Sequence, residues 1–91
     1  MKIIKSVDEA KKIRGNLIGD IGLVPTMGAL HKGHISLIKK SVDLCDKTFV
    51  SIFVNPTQFN DKNDYKNYPI TLNKDLAMIE AEGVDYVFVP Y

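Results

Sequence analysis

The chain of 91 residues is short of several features that would fix its class at once, and each shortage excludes something. Its single cysteine, Cys45, cannot close an internal disulfide and fits a reducing, cytoplasmic setting; on an apolar helix face it reads as a buried filler, not a nucleophile. Acidic and basic side chains nearly cancel to a formal net charge of +1, which leaves no electrostatic case for nucleic acid or an acidic membrane as a partner. No apolar run approaches the roughly 20 residues of a membrane-spanning helix, and the opening Met-Lys-Ile-Ile-Lys is too short and too interrupted for a signal peptide. The length suits one small domain, burying about 60 to 65% of its unfolded surface, and leaves no room for a second.

Chemistry concentrates in residues 25–34, which read Pro-Thr-Met-Gly-Ala-Leu-His-Lys-Gly-His and contain both histidines of the chain. The preceding Ile21-Gly22-Leu23-Val24 reads as a buried central strand, and Ile35, Ile38, Val42 and Cys45 share one face of a helix that runs to about Cys45. The run is therefore a strand-to-helix loop. At the carboxyl edge of a parallel sheet, the first amides of such a helix have no intrahelical partner and form an anion site. Gly28 supplies the positive φ of a sharp turn, and Gly33 removes a side chain where a phosphate would approach. His31 and His34 face one ligand, and a bound triphosphate would favour their charged form. The competing reading is a weak His-x-x-His metal site. With no further histidine, no carboxylate in the run and Cys45 far along the helix, no metal ligands are assigned.

The remaining segments read as support. Ile3 and Ile4 suggest a short edge strand, and Ser6 with Glu9 has capping-box spacing before a helix whose buried stripe is Val7, Ala10, Ile13 and Leu17. Lys11, Lys12 and Arg14 form its solvated face, and Gly15-Asn16 breaks it. Gly22 weakens its strand and favours close approach of a neighbouring element. Residues 49–54 form a near-continuous apolar strand, buried on both faces and ended by Asn55-Pro56. Gln58 and Phe59 project from a second loop at the same sheet edge; on the residues alone, an amide beside an aromatic suits a small polar molecule with methyl groups, and a turn whose Gln58 meets water is the favoured alternative. Residues 60–68 hold Asn, Asp, Lys and two tyrosines with no aliphatic side chain, the composition of a mobile flap. A third helix follows, with Thr71 as N-cap, Leu72, Leu76 and Ile79 on its buried face and Gly83 at C′, and then a strand over 84–89. With right-handed crossovers this order is an α/β fold with a parallel sheet, half of a doubly wound Rossmann-like nucleotide-binding domain.

Residues 25–34, with Ser-Ile-Phe-Val-Asn-Pro-Thr-Gln-Phe at 51–59, Tyr68-Pro69, Asp75-Leu76 and Glu-Gly-Val-Asp at 82–85, resemble the amino-terminal part of the pantoate-β-alanine ligase (pantothenate synthetase) family. The resemblance covers nearly the whole chain. His-x-Gly-His occurs in many nucleotidyl-transferring enzymes, and it is the added Phe-Val-Asn-Pro-x-Gln-Phe block at this spacing that points to one family. The resemblance implies ATP-dependent ligation of pantoate and β-alanine through a pantoyl adenylate, releasing AMP and pyrophosphate, with Mg²⁺ accompanying ATP. It implies Met27, Gly28, Ala29, Leu30, His31, Lys32, Gly33 and His34 as the ATP-binding stretch, with His34 and His31 catalytic. Gln58 would hold pantoate and lie near β-alanine. Met27 and Phe59 stand at the pantoate wall, where packing explains them equally well, and Asn55 orders its loop. A cytoplasmic homodimer is implied for the full-length enzyme.

Two departures accompany the resemblance. Ile70 stands where the family commonly has arginine, and the family's second half, with its carboxy-terminal domain, is absent. Residues 1–91 are thus expected to be a truncated amino-terminal nucleotide-binding domain, inactive alone. Two other classes stay open. One is another nucleotidyltransferase of the His-x-Gly-His type, against which the lack of Phe-Asp-Pro before Gly-His counts; the other is a non-catalytic folding module.

Overall fold

The computed structural model describes residues 1–53 and 68–90. In chain order these form strand β1 (Lys2–Ile4), helix α1 (Val7–Asn16), strand β2 (Ile21–Thr26), helix α2 (Lys32–Leu44), strand β3 (Lys47–Ile52), helix α3 (Tyr68–Ala81) and strand β4 (Tyr86–Phe88). All strand pairs are parallel, in the order β1-β4-β3-β2. The step from β2 through β3 to β4 crosses the sheet in one direction, while β1 to β2 crosses it in the other. Right-handed crossovers therefore set α2 and α3 on one face and α1 on the opposite one.

Alternation along the strands divides the side chains between those faces. Val24, Val50, Ile52 and Val87 join Ile38 of α2 and Leu72 and Ile79 of α3 in one buried cluster, with Ile35 and Val42 packed against it. The other face is thinner. Phe49 and Tyr86, partners in the β3/β4 ladder, stack there with ring centroids 4.7 Å apart. None of the α1 side chains is buried, and Val7 is 53% exposed. The expected stripe of Val7, Ala10, Ile13 and Leu17 is thus only half-covered, and an open groove of about 380 Å³ remains between Ala10 and Arg14 of α1 and Leu23, Phe49 and Phe88 of the sheet. Apolar spacing defines a stripe but not how much surface is there to receive it.

Two sequence expectations on strand position and helix start need correction. The strand over 21–24 was expected at the centre; β2 instead forms one edge of the described sheet and leaves Leu23 66% exposed. Apolarity on both faces mimics burial, whereas sheet position depends on pairing partners. Pro25 lies within β2, a position an edge strand tolerates because proline gives no N–H to a ladder. Thr71 is not an N-cap, since α3 already starts at Tyr68. Proline costs little in a first helical turn, where its absent N–H would have had no partner, so Pro69 falls inside the helix. The two inner strands are also offset from the expected 49–54 and 84–89, at Lys47–Ile52 and Tyr86–Phe88.

Other local expectations hold. Ser6 caps α1 by accepting from the Glu9 N–H at 3.2 Å. Gly83 has φ +84 and its N–H donates to the Glu80 carbonyl at 3.1 Å, the left-handed turn that ends α3. At Gly22 a Cβ would overlap the Ser41 hydroxyl and lie 3.1 Å from the Cys45 Sγ, so its absence lets α2 settle on β2. Cys45 is half-buried at that contact. The 60–67 segment, Asn55, Gln58 and Phe59 lie outside the described residues.

Candidate functional site

The loop between β2 and α2 turns through two successive left-handed residues, Gly28 at φ +91 and Ala29 at φ +52. Gly28 was expected to supply this freedom, but alanine there costs roughly 1 to 2 kcal/mol. The surrounding hydrogen bonds offset that cost. The Thr26 hydroxyl accepts from the Gly28 N–H at 3.3 Å. From α3, Asp75 Oδ2 accepts from the Ala29 N–H at 2.8 Å and Oδ1 accepts from the Leu30 N–H at 3.0 Å. Asp75 is 2% exposed. Two amides of the loop that leads into α2 are therefore already bound to an anion of the chain itself.

The His31 and Gly33 amides are committed as well. His31 is the N-cap of α2, and its Nδ1 accepts from the Gly33 N–H at 3.0 Å. Reciprocally, His34 Nδ1 accepts from the His31 N–H at 3.2 Å, which completes a capping box built from two imidazoles. Their ring centroids lie 4.1 Å apart, tilted by 36°. Gly33 has a different use from the expected one: a Cβ would come 2.9 Å from His31 Cε1, so its bare backbone accommodates the His31 ring.

This geometry assigns a role to each ring nitrogen. Nδ1 of both rings accepts from the backbone, which leaves Nε2 as the donor side. The free protein thus presents one Nε2 on each ring, and the charged pair is the expectation for a triphosphate complex. Burial holds the His34 pKa below its ordinary value; His31 lowers it further, and the nearby Asp75 carboxylate acts in the opposite direction.

Beside His34, at the carboxyl ends of β2 and β3, lies an open pocket of about 360 Å³ lined by Pro25, Thr26, Met27, Ser51 and Phe53. Met27 and Phe53 are 64% and 58% exposed, an apolar wall in the same pocket as the His34 ring. Of the candidate stretch, Met27 and His34 meet at this pocket and His31 stacks behind. Ala29 and Lys32 are exposed, and Leu30 packs on the core. Sequence reasoning overlooked Asp75, Thr26, Ser51 and Phe53 as site residues. Asp75 did leave a signal, a carboxylate at helical spacing within the apolar series Leu72, Leu76 and Ile79. Among the described residues no group of three His, Cys, Asp or Glu side chains is placed to hold a metal ion, and no helix is long and apolar enough to cross a membrane.

A parallel sheet with helices on both faces and an open pocket at the carboxyl ends of its strands defines the Rossmann-like α/β class. Within that class the match is specific. The family model described as pantoate-beta-alanine ligase matches residues 2–91. The chain is 53% identical over 92 residues to the pantothenate synthetase of Pseudothermotoga lettingae, covering 99% of this chain and 33% of that protein. It is 52% identical over 91 residues to that of Coxiella burnetii, covering 98% of this chain and 35% of that protein. A crystal structure of the Francisella tularensis pantoate-beta-alanine ligase, complexed with beta-gamma ATP and beta-alanine, superposes with a TM-score of 0.82 at 51% identity, over 99% of this chain and 35% of that one. The pantothenate synthetase of Thermus thermophilus gives 0.76 at 38% identity, over 100% and 32%. The chain belongs to the pantoate-beta-alanine ligase family. It spans about a third of the length of the curated relatives it matches.

Proposed function

We propose that residues 1–91 form the amino-terminal nucleotide-binding domain of an enzyme that joins pantoate to β-alanine with consumption of ATP. In this reading a pantoate carboxylate oxygen bonds to the α-phosphorus of ATP as the bond to pyrophosphate breaks. The β-alanine amine then attacks the acyl carbon of pantoyl adenylate, loses a proton, and displaces AMP. Such transfer asks the protein chiefly to position the reactants and to stabilise charge at phosphate oxygens. The observation that carries the reading is the close His31/His34 pair, both Nδ1 atoms committed to the backbone and His34 lining the pocket, which leaves the Nε2 side of the rings for a ligand.

The 27–34 stretch takes ATP, with His34 as the main donor to the phosphates and His31 beside it. Met27 supplies apolar contact, while Gln58 holds pantoate and lies near β-alanine. The solved structure of a relative with beta-gamma ATP and beta-alanine supports both ligands as family substrates. Mg²⁺ enters on the triphosphate, whose oxygens suit a hard cation. The full-length enzyme is a cytoplasmic homodimer that binds neither nucleic acid nor membrane.

With about a third of its relatives' length, the isolated chain binds ligand without sustaining turnover. The test is a heteronuclear NMR titration of the 91-residue chain with pantoate and then with magnesium-ATP. Localised shifts at His31, His34 and Gln58 are expected. A dispersed spectrum that ignores both ligands would overturn the binding assignment, and pantoate-dependent turnover at the rate of a full-length ligase would overturn the predicted inactivity.

A further inference from the structure

The two amides that Asp75 holds are 45 and 46 residues away from it in sequence, and they belong to the turn that delivers the chain to His31. Side chains of α3 around Asp75 are apolar: Leu72 and Ile79 lie in the core, and Leu76 packs against it. A carboxylate kept 2% exposed in that stripe needs donors, and the loop supplies two at charge-assisted distances. Strain at Ala29, with φ +52, sits between those donors and is held by them.

The chemical consequence concerns where an anionic ligand can go. A glycine-containing turn before a helix ordinarily offers its backbone amides to phosphate. Here the 29 and 30 amides are occupied by a carboxylate. Besides the first amide of α2, at Lys32, the donors left at the loop are the imidazole Nε2–H groups of His31 and His34, whose rings the same turn holds in place.

We propose that Asp75 is a positioning residue of the ligand site: it closes the backbone anion seat of the 28–30 turn and so directs the phosphates of a nucleotide to His31 and His34. The inference rests on the nucleotide reading of this loop. It differs from that reading in assigning the choice of donor to a residue of α3 that touches no ligand.

The experiment uses the whole 91-residue chain and follows amide hydrogen exchange, the imidazole titrations and magnesium-ATP binding by NMR. In the unsubstituted chain the Ala29 and Leu30 amides are expected to be protected like those of β3, although they lie in a loop. Asp75→Asn replaces one acceptor with a donor and removes the charge. Exchange at 29 and 30 should then rise at least about tenfold while β3 keeps its protection, and magnesium-ATP should bind about tenfold more weakly. The His34 midpoint should fall, because the opposing carboxylate is gone, a change that mere loosening of the fold would not produce. Asp75→Glu keeps the charge but not the reach, so it should lose affinity while retaining the His34 midpoint.

Ala29 and Leu30 amides that exchange like exposed loop amides in the unsubstituted chain would overturn the proposal, whether or not Asp75→Asn folds. So would a folded Asp75→Asn chain that binds magnesium-ATP as tightly as the original. Protected amides in a chain that ignores magnesium-ATP would overturn the nucleotide reading, and this one with it, leaving Asp75 a folding device.

Discussion

The cap that His31 makes through Nδ1 and the ligand contact proposed for its Nε2 are predicted to separate under substitution. His31→Ala removes the acceptor for the Gly33 N–H, a bond of 3.0 Å, but leaves the His31 backbone N–H on His34 Nδ1. Loss of an N-cap acceptor costs about 1 kcal/mol, which for a domain of this size lowers the melting temperature by roughly 4 to 8 °C. His31→Asn is different. Its carbonyl oxygen can stand where Nδ1 stood, asparagine ranks among the best N-caps, and stability should stay within about 0.5 kcal/mol of the original. The Nε2–H donor is nonetheless gone, and a hydrogen bond to a charged group contributes roughly 1.5 to 3 kcal/mol, so magnesium-ATP should bind at least about tenfold more weakly. Urea unfolding followed by circular dichroism gives the first quantity and isothermal calorimetry the second. An asparagine variant that binds like the original would remove His31 Nε2 from the site. An alanine variant of unchanged stability would show that the cap bond contributes nothing.

Two further outcomes follow from the contacts at Gly22 and His34. Gly22→Ala forces a methyl against the Ser41 hydroxyl, which is itself 2.8 Å from the Thr48 hydroxyl, and should destabilise by about 1 to 3 kcal/mol in urea titrations. Ser41→Gly in the same chain should recover part of that loss; no recovery would place the strain elsewhere. Because the folded pKa of His34 is below its ordinary 6.5, the unfolded chain takes up a proton first as pH falls. The stability present above about pH 6.5 should therefore decline through the folded pKa and then level off. His34→Gln should flatten that part of the curve measured by urea midpoints, and an unchanged slope would dismiss the imidazole as its source.

How much of this was legible in the sequence depended on whether a residue's role is local. Gly28, Gly83 and the Ser6 cap were readable because backbone conformation and capping are decided within a few residues. Gly22 was readable as a close approach, though not which atoms approach, and the α2 stripe followed from its period. The edge position of β2 was hidden, since pairing is decided by segments elsewhere in the chain. So was the half-open face of α1. At the site, the spacing of His31 and His34 announced a pair, but which nitrogen faces inward depends on the neighbouring amides. Asp75 was in view as a carboxylate out of place in an apolar stripe. Its partners lie far upstream, and nothing local to α3 names them.

The groove between α1 and the sheet, bordered by Leu23, Phe49 and Phe88, has a practical consequence at the bench. Fluorescent dyes that brighten on apolar surfaces are commonly used as markers of partly folded states. This chain offers such a surface while its opposite face is fully packed, so dye emission would greet the intact fold as readily as a loosened one. Near-ultraviolet dichroism of the stacked Phe49 and Tyr86 rings, which depends on their fixed geometry, distinguishes the two conditions where the dye does not.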